Sequence, residues 1–462
     1  MMVDELAAVV HTEQAVTGCV SFLGQTNDLR RSTAMTAQRD CSGKAVLVAI
    51  DVAKNWNTVL METPDGRRQR FRVANNRCDH DRFVQWLKAQ DARCQIALEP
   101  TGNYHRPLAH RLFAEGFEVH LVSSVAAARL REAMYNSWDK NDPKDAVVIL
   151  EMLRQGRVLH YHDPVAVGIH DLQEISKTYV QVTRARTRLQ HSILTHHLPL
   201  YWPEFGRYWH SSRADWFVRF LLRFPVPKAV RELEQEEFIQ EAWPLIGRKV
   251  NKRARLEEIY ELAGQTVALP INPESYSVQA FRLQLQRYLS LNGLRDQLES
   301  WAQDVLAENE DAQLLRSLPG IGPVLALVIL AEAGDLRRFG HHRQFLKFCG
   351  LDLAKSQSGS SRGRERLSKR GNARLRYAFW MAASVAIRMR ENSFRDKYER
   401  YIRSDPTDPD LKRKALTAVA AKMARVVYAI VKTQTPYRAY FEAAVPSGSI
   451  PLSRAVEAVR TS

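Results

Sequence analysis

From Val46 onward, apolar and polar residues fall into blocks from which elements can be read. Val46–Ile50 is an unbroken apolar run that ends at Asp51, the pattern of a buried strand. The next segment, NTVLMETPDGRRQRFRV, sets a Pro-Asp-Gly turn between two strand-like runs and predicts a hairpin. A helical pattern (HDRFVQWLKAQ), a strand (CQIALE), a helix (YHRPLAHRLFAEG), a strand (FEVHLV) and a helix opened by Asp142 follow. A hairpin and then strands alternating with helices predict an α/β domain with a mixed sheet over residues 45–160.

Beyond that point the period is helical. Leu172, Ile175, Tyr179, Val182, Leu189 and Ile193 recur at three- and four-residue spacing, with Arg186 in the same seam. Leu291, Leu294, Leu298, Trp301 and Val305 form a second stripe. The two predict long helices over 161–312, packed as an antiparallel or intermolecular coiled coil. Between them, 200–275 is rich in aromatics and broken by prolines, and reads as a helical insertion with Trp202, Trp209, Trp216 and Trp243 in its core. Residues 313–440 read as a helical C-terminal domain that includes RYAFWMAASVAIRMR and LTAVAAKMARVVYAIVK. Residues 1–44 show no sustained period and read as a flexible extension, and 441–462 as a loosely held tail. The fold class expected is α/β plus all-α.

Charge then narrows the partner. The 462 residues carry 67 Lys+Arg against 51 Asp+Glu, a net +16. From Leu336 to Arg376 there are 12 Lys/Arg against 2 Asp/Glu, so +10 of the excess lies in one stretch. Such concentration points to a polyanion, nucleic acid above all. The five cysteines are scattered and lack CxxC spacing, which fits a reducing compartment and excludes a disulfide framework or zinc cluster. The opening MMVDELAAVV lacks the basic flank of a signal peptide, and the longest apolar run, near VLALVIL, is too short to span a bilayer. The expectation is a cytoplasmic, nucleoid-associated protein with no membrane partner.

Three groups of residues carry candidate chemistry. Asp51 and Glu99 end predicted strands, where α/β proteins place ligands. Asp142 and Asp145 are three apart and share one face of a helix start. Alone, that pair also reads as capping, with Pro143 in the first helical position. Four carboxylates brought together need a cation, and hard oxygen donors suit Mg²⁺ or Mn²⁺, which can polarise a phosphate. The second group is LPGIGPVLALVIL, where Gly320 and Gly322 suggest a helix-hairpin-helix element meeting a phosphate; a plain helix–helix turn is the other reading. The third is KSQSGSSRGRERLSKRGNARLR, read as a basic loop. Here Lys355, Arg362, Arg364, Arg366, Lys369, Arg370, Arg374 and Arg376 are candidate nucleic-acid contacts. Ser358, before Gly359, is a candidate nucleophile whose transferring phosphoryl charge the arginines would stabilise. Ser356, Ser360 and Ser361 flank it and leave the choice of serine open.

The words AIDVAK, ALEPTGNY and KNDPKDA in the N-terminal half, with LPGIG, FCGLD, SG and SKRGNARLR in the C-terminal half, resemble the insertion-sequence-110 family of DEDD transposases. The chain is most similar to the insertion-sequence-1111 subgroup, with the Piv-type DNA invertases as cousins. The resemblance covers about 45–160 and 313–395. It implies an RNase H-like, RuvC-type N-terminal domain, a coiled coil and a C-terminal transposase domain. By that resemblance Asp51, Glu99, Asp142 and Asp145 would hold the metal. Ser358, the serine of the SG motif, would attack a DNA phosphate and form a covalent link. The implied partners are donor and target DNA, a structured bridge RNA, and further copies of the chain, a dimer assembling to a tetramer. Lys140-Asn141-Asp142 stands where the family has Lys-Thr-Asp, the lead before residue 45 is long enough for a start at Met35, and the 200–275 insertion is large. A junction resolvase cutting by water attack would need the acids but not Ser358, and a non-catalytic nucleic-acid-binding protein would need neither.

Overall fold

The computed structural model describes residues 45–90, 92–136, 142–210, 215–247, 251–354, 357–358, 361–362, 365–390 and 392–438. The expected extension over 1–44, the start at Met35 and the tail at 441–462 lie outside them. Two compact units divide the chain, Met1–Asp163 and Pro164–Ser462.

In the first unit, β1 (Val46–Asp51), β2 (Trp56–Glu62) and β3 (Arg68–Ala74) run antiparallel in succession, with the expected turn between β2 and β3. Then come α1 (Arg77–Lys88), β4 (Cys94–Glu99), α2 (His105–Ala114), β5 (Glu118–Leu121), α3 (Ser124–Tyr135), α4 (Asp142–Arg154) and β6 (Leu159–His160). The sheet order is β3-β2-β1-β4-β5-β6, parallel at β1/β4 and β4/β5 and antiparallel elsewhere. The outer strand β3 carries exposed Arg68, Arg70 and Arg72, charges that discourage a foreign strand from pairing with an edge.

The two faces of this sheet differ. Val46, Val48, Ile50, Ile96 and Leu98 point to α1 and α2, where Phe83, Val84, Leu87, Leu108 and Leu112 complete a hydrocarbon layer. Residues of the opposite parity, Ala49 and Ala97, lie under Ala127 of α3 and Ala146, Val148 and Ile149 of α4. Helix α3 was not foreseen. Its sequence is alanine-rich, a good helix former, but only Ala127 is fully buried, so no broad apolar stripe announces it.

The second unit is helical apart from short ribbons. Helix α5 (His170–Ser192) and the long α11 (Tyr276–Ala307) flank the insertion helices Leu198–Tyr201, Trp216–Arg223, Pro227–Arg231, Gln235–Ala242 and Lys252–Gly264 (α6–α10). Helices α5 and α11 pack antiparallel: Leu172 shares a core with Ala302 and Leu306, Tyr179 donates to Glu299 at 3.1 Å, and Leu189 shares a core with Leu285. Arg186, placed in the seam by sequence, lies over the Tyr288 ring at 5.8 Å. The expected α11 stripe is corrected. Leu298 is buried, but Leu294, Trp301 and Val305 are exposed, because the contact side is built from Tyr288, Asn292, Ala302 and Leu306. Asn292 and Ala302 are not large apolar residues, so a count of such residues does not reveal this side. Trp202, Trp209 and Trp216 join the aromatic core of the insertion, whereas Trp243 is 45% exposed under Lys252.

After α11 come α12 (Glu310–Arg316), α13 (Pro323–Ala333), α14 (His342–Cys349), α15 (Ala373–Ala386), α16 (Ser393–Ile402) and α17 (Pro409–Thr433). Helices α13, α15 and α17 share one core with Phe345, Phe379, Met423 and Val427 at 0% exposure. Among the described residues no helix is long and apolar enough to cross a membrane.

Candidate active site and nucleic-acid interface

Backbone register brings the first two acids together. In the parallel pair β1/β4, Asp51 stands directly opposite Glu99, so the strand-end carboxylates are neighbours on one face. Their parity is that of Ala49 and Ala97, the face covered by α3 and α4. Asp142 and Asp145 lie in the first turn of α4, the helix that packs on that face. The four positions therefore belong to one end of one layer. The side chain of Asp142 lies outside the described residues, and among the described ones no three His, Cys, Asp or Glu groups form a ready metal cluster.

Asp145 is the buried member, 1% exposed. Its Oδ1 lies 2.6 Å from Arg131 Nη2 of α3, and Arg131 is 12% exposed. Proximity here does not give hydrogen bonding. Oδ1 of Asp145 accepts no aligned N–H, and Arg131 Nε reaches no acceptor. Next to Asp145, Lys144 Nζ sits 5.3 Å from the ring centroid of Tyr135, one turn beyond Arg131, a second tie between α3 and α4. Sequence reasoning passed over Arg131 because α3 itself carried no strong signal.

The serine motif forms a ribbon where a loop was expected. Strand β7 (Leu353–Ala354) pairs antiparallel with β10 (Arg366–Leu367), and β8 (Gln357–Ser358) with β9 (Ser361–Arg362), with Ser358 opposite Ser361. The side chains of Lys355, Ser356, Ser358, Ser360, Ser361, Arg362 and Arg364 lie outside the described residues. The stem is clamped by the words on either side of it. Asn372 N donates to Phe348 O at 2.7 Å, and Ser368 N to Asp352 O at 2.9 Å. Gly371, at φ +141°, runs so close to α14 that a Cβ would lie 2.5 Å from Phe348 O. Burial pushes the Cys349 thiol pKa well up, which leaves it a poor nucleophile beside the ribbon.

The expected nucleic-acid contacts divide in two. Arg366, Lys369 and Arg370 are exposed. Arg374 is instead paired with Glu332 at 3.0 Å, and Arg376 donates to the carbonyls of Cys349 and Lys369 at 3.4 and 3.2 Å. Arg374 thus ties α15 to α13, and Arg376 ties α15 to the stem. At Gly320 a Cβ would stand 2.3 Å from Ala382 O, so this glycine lets the hairpin rest on the backbone of α15. Gly322, the residue before α13, is open on its side-chain side.

Two family models match the chain in the order of these sites. DEDD_Tnp_IS110, described as a transposase, matches residues 48–203, and the model described as the IS116/IS110/IS902 transposase family matches 312–399. The chain belongs to this transposase family. The first match takes in Asp51, Glu99, Asp142 and Asp145, and the second takes in the hairpin and the serine ribbon. Among similar proteins, the transposase for insertion sequence element IS1111A of Coxiella burnetii is 33% identical over 134 residues, 29% of this chain and 36% of that protein. The insertion element IS116 uncharacterized 44.8 kDa protein of Streptomyces clavuligerus is 24% identical over 354 residues, 76% of this chain and 87% of that one. A solved structure of T. thermophilus RuvC in complex with Holliday junction substrate covers 25% of this chain and 99% of its own, at 13% identity and a TM-score of 0.19, too low to decide anything about the fold.

Proposed function

We propose that the chain is a DNA transposase that cuts and rejoins DNA at the ends of an insertion sequence. The observation that carries this reading is the register of Asp51 against Glu99 on the face that α4 covers with Asp142 and Asp145. Four acidic positions at one end of one layer suit Mg²⁺ or Mn²⁺, and the buried Asp145 Oδ1, which no hydrogen-bond donor satisfies, is chemically fit to be a ligand. Bound there, such an ion would polarise a phosphate and stabilise the charge of an in-line displacement.

In this reading the Ser358 hydroxyl attacks the scissile phosphorus. It loses its proton to solvent or a nearby base, and the DNA oxygen leaves, so a phosphoserine ester conserves the bond for rejoining. Arg366, Lys369 and Arg370 hold the phosphate backbone. Acids and serine act together in an oligomer, assembled with donor and target DNA and directed by a structured bridge RNA. A RuvC-like nuclease that uses water in place of Ser358 is the competing mechanism, since the acids alone suffice for it.

The experiment is a denaturing gel of the full chain with labelled element-end DNA and Mg²⁺. A covalent protein–DNA band that requires both Mg²⁺ and Ser358 supports serine chemistry. Cleavage without such a band, unchanged in Ser358→Ala, would replace it with the hydrolytic mechanism.

A further inference from the structure

We infer that Arg131 is the built-in counter-cation of the acidic site: it holds Asp145 when no metal is bound, and a dication has to displace it. The inference rests on the metal reading above and adds a residue that the reading does not require.

Three observations lead to it. First, Asp145 is 1% exposed, and a buried carboxylate without a counter-charge is costly, so the metal-free chain needs a cation at this point. Arg131 supplies it at 2.6 Å, from a different helix. Second, the pair is poorly matched. A guanidinium and a carboxylate that belong together form parallel N–H···O bonds. Here Asp145 Oδ1 accepts none, and Arg131 Nε is buried without an acceptor. The Glu62–Arg154 pair of the same unit shows the contrast, with Arg154 Nη2 donating to both carboxylate oxygens at 2.6 and 2.7 Å. The Asp145 pair has the charge of a salt bridge without its hydrogen bonds, which suits a partner that is exchanged. Third, Asp145 lies on the face of the strand-end acids Asp51 and Glu99. A fixed positive charge there moderates their mutual repulsion and opposes an incoming dication by the same Coulomb term.

Linkage fixes the sign. If Arg131 competes with the metal for Asp145, removing it must raise metal affinity and lower metal-free stability together. A guanidinium with a purely structural role would lower stability and leave affinity unchanged, or reduce it by loosening the site.

The test titrates the full chain with Mn²⁺ in the absence of DNA, following free Mn²⁺ by electron paramagnetic resonance, with thermal melts in parallel. Arg131→Gln is expected to bind Mn²⁺ on the order of tenfold more tightly than the unaltered chain. It should melt lower without metal, and gain more in Tm on adding Mn²⁺. Arg131→Lys, which keeps the charge but withdraws the fork, covers the case in which the Gln variant does not fold, and it should bind a few-fold more tightly. Affinity equal to or weaker than that of the unaltered chain, in whichever variant folds, overturns the inference. Asp145→Asn separates the two levels. If it binds Mn²⁺ as tightly as the unaltered chain, the metal reading itself fails and the inference with it. If it weakens binding while the Arg131 variants do not tighten it, only the role of Arg131 is lost.

Discussion

The acidic site and the serine ribbon are built by opposite means. The acids stand where the backbone of a six-stranded sheet puts them: Asp51 and Glu99 are paired by parallel register, and the strands beneath them are buried on both faces. The ribbon has strands of two residues each and takes its place from its stem, through Gly371 packed on Phe348 O and Arg376 bonded to two carbonyls. In the first case position comes from a core that does not involve the functional groups. In the second it comes from a few close contacts next to them. Damage should therefore separate: changes to the strand-end acids Asp51 and Glu99 should harm chemistry without harming the fold, whereas changes to the ribbon's stem should harm both.

The largest effect tests that contrast directly. Asp51→Asn or Glu99→Gln should lower strand cleavage about a thousandfold or more, by loss of charge stabilisation in the transition state. Their melting temperature should stay within a few degrees of the unaltered chain's, because both side chains are half-buried strand ends outside the apolar layers. Ser358→Ala should match them in lost covalent adduct yet keep Mn²⁺ and DNA binding. A cleavage rate in Asp51→Asn close to that of the unaltered chain would remove the acids from the mechanism.

How far the site could be read beforehand follows from the same contrast. Apolar runs ending in an acid marked Asp51 and Glu99, because a buried strand announces its own end. Their pairing side by side depends on strand order, which no local pattern contains. Arg131 was out of reach twice over: its helix is alanine-rich, and its partner lies across a helix–helix contact. Gly320 and Gly322 look alike in sequence, and only the backbone of Ala382 distinguishes them. Trp301 and Val305 kept a helical period but sit on the exposed side of α11, because period fixes a face and not what covers it.

Next in size is Gly371→Ala. With φ at +141° and a Cβ 2.5 Å from Phe348 O, it should cost about 3–4 kcal/mol. Calorimetry should show the loss in the transition of the second unit, with the first unit's unchanged. A single shifted transition would mean that the units do not melt independently, and would blunt the comparison.

A smaller effect is expected at the exposed cations. Arg366→Ala and Lys369→Ala should each weaken DNA binding similarly across sequences and lower the salt slope of log Kd by about one. Arg374→Ala should act through stability, because its guanidinium is paired with Glu332. Binding against salt concentration, beside a melt of each variant, distinguishes the two.

The smallest concerns the far end of α4. Burial alone would raise the Glu62 pKa, but hydrogen bonds from Arg68 and Arg154 outweigh it and hold it below the usual carboxylate range. The folded pKa is thus below the ordinary value of 4.5, and the stabilisation is full above that value and fades as pH falls through the folded pKa. Glu62→Gln should flatten only this acid limb in a plot of Tm against pH. An unchanged limb would exclude the pair as a support for α4.

The alanines at 49 and 97 have one more consequence. With only a methyl each beneath α4, at 0% exposure, they act as shims that fix how close the helix rides to the sheet. The gap between the strand-end carboxylates and the start of α4 is therefore gauged by two side chains that carry no chemistry. A valine at either place would leave every acid intact and still jack the helix outward, spreading the oxygens beyond the span of one small ion.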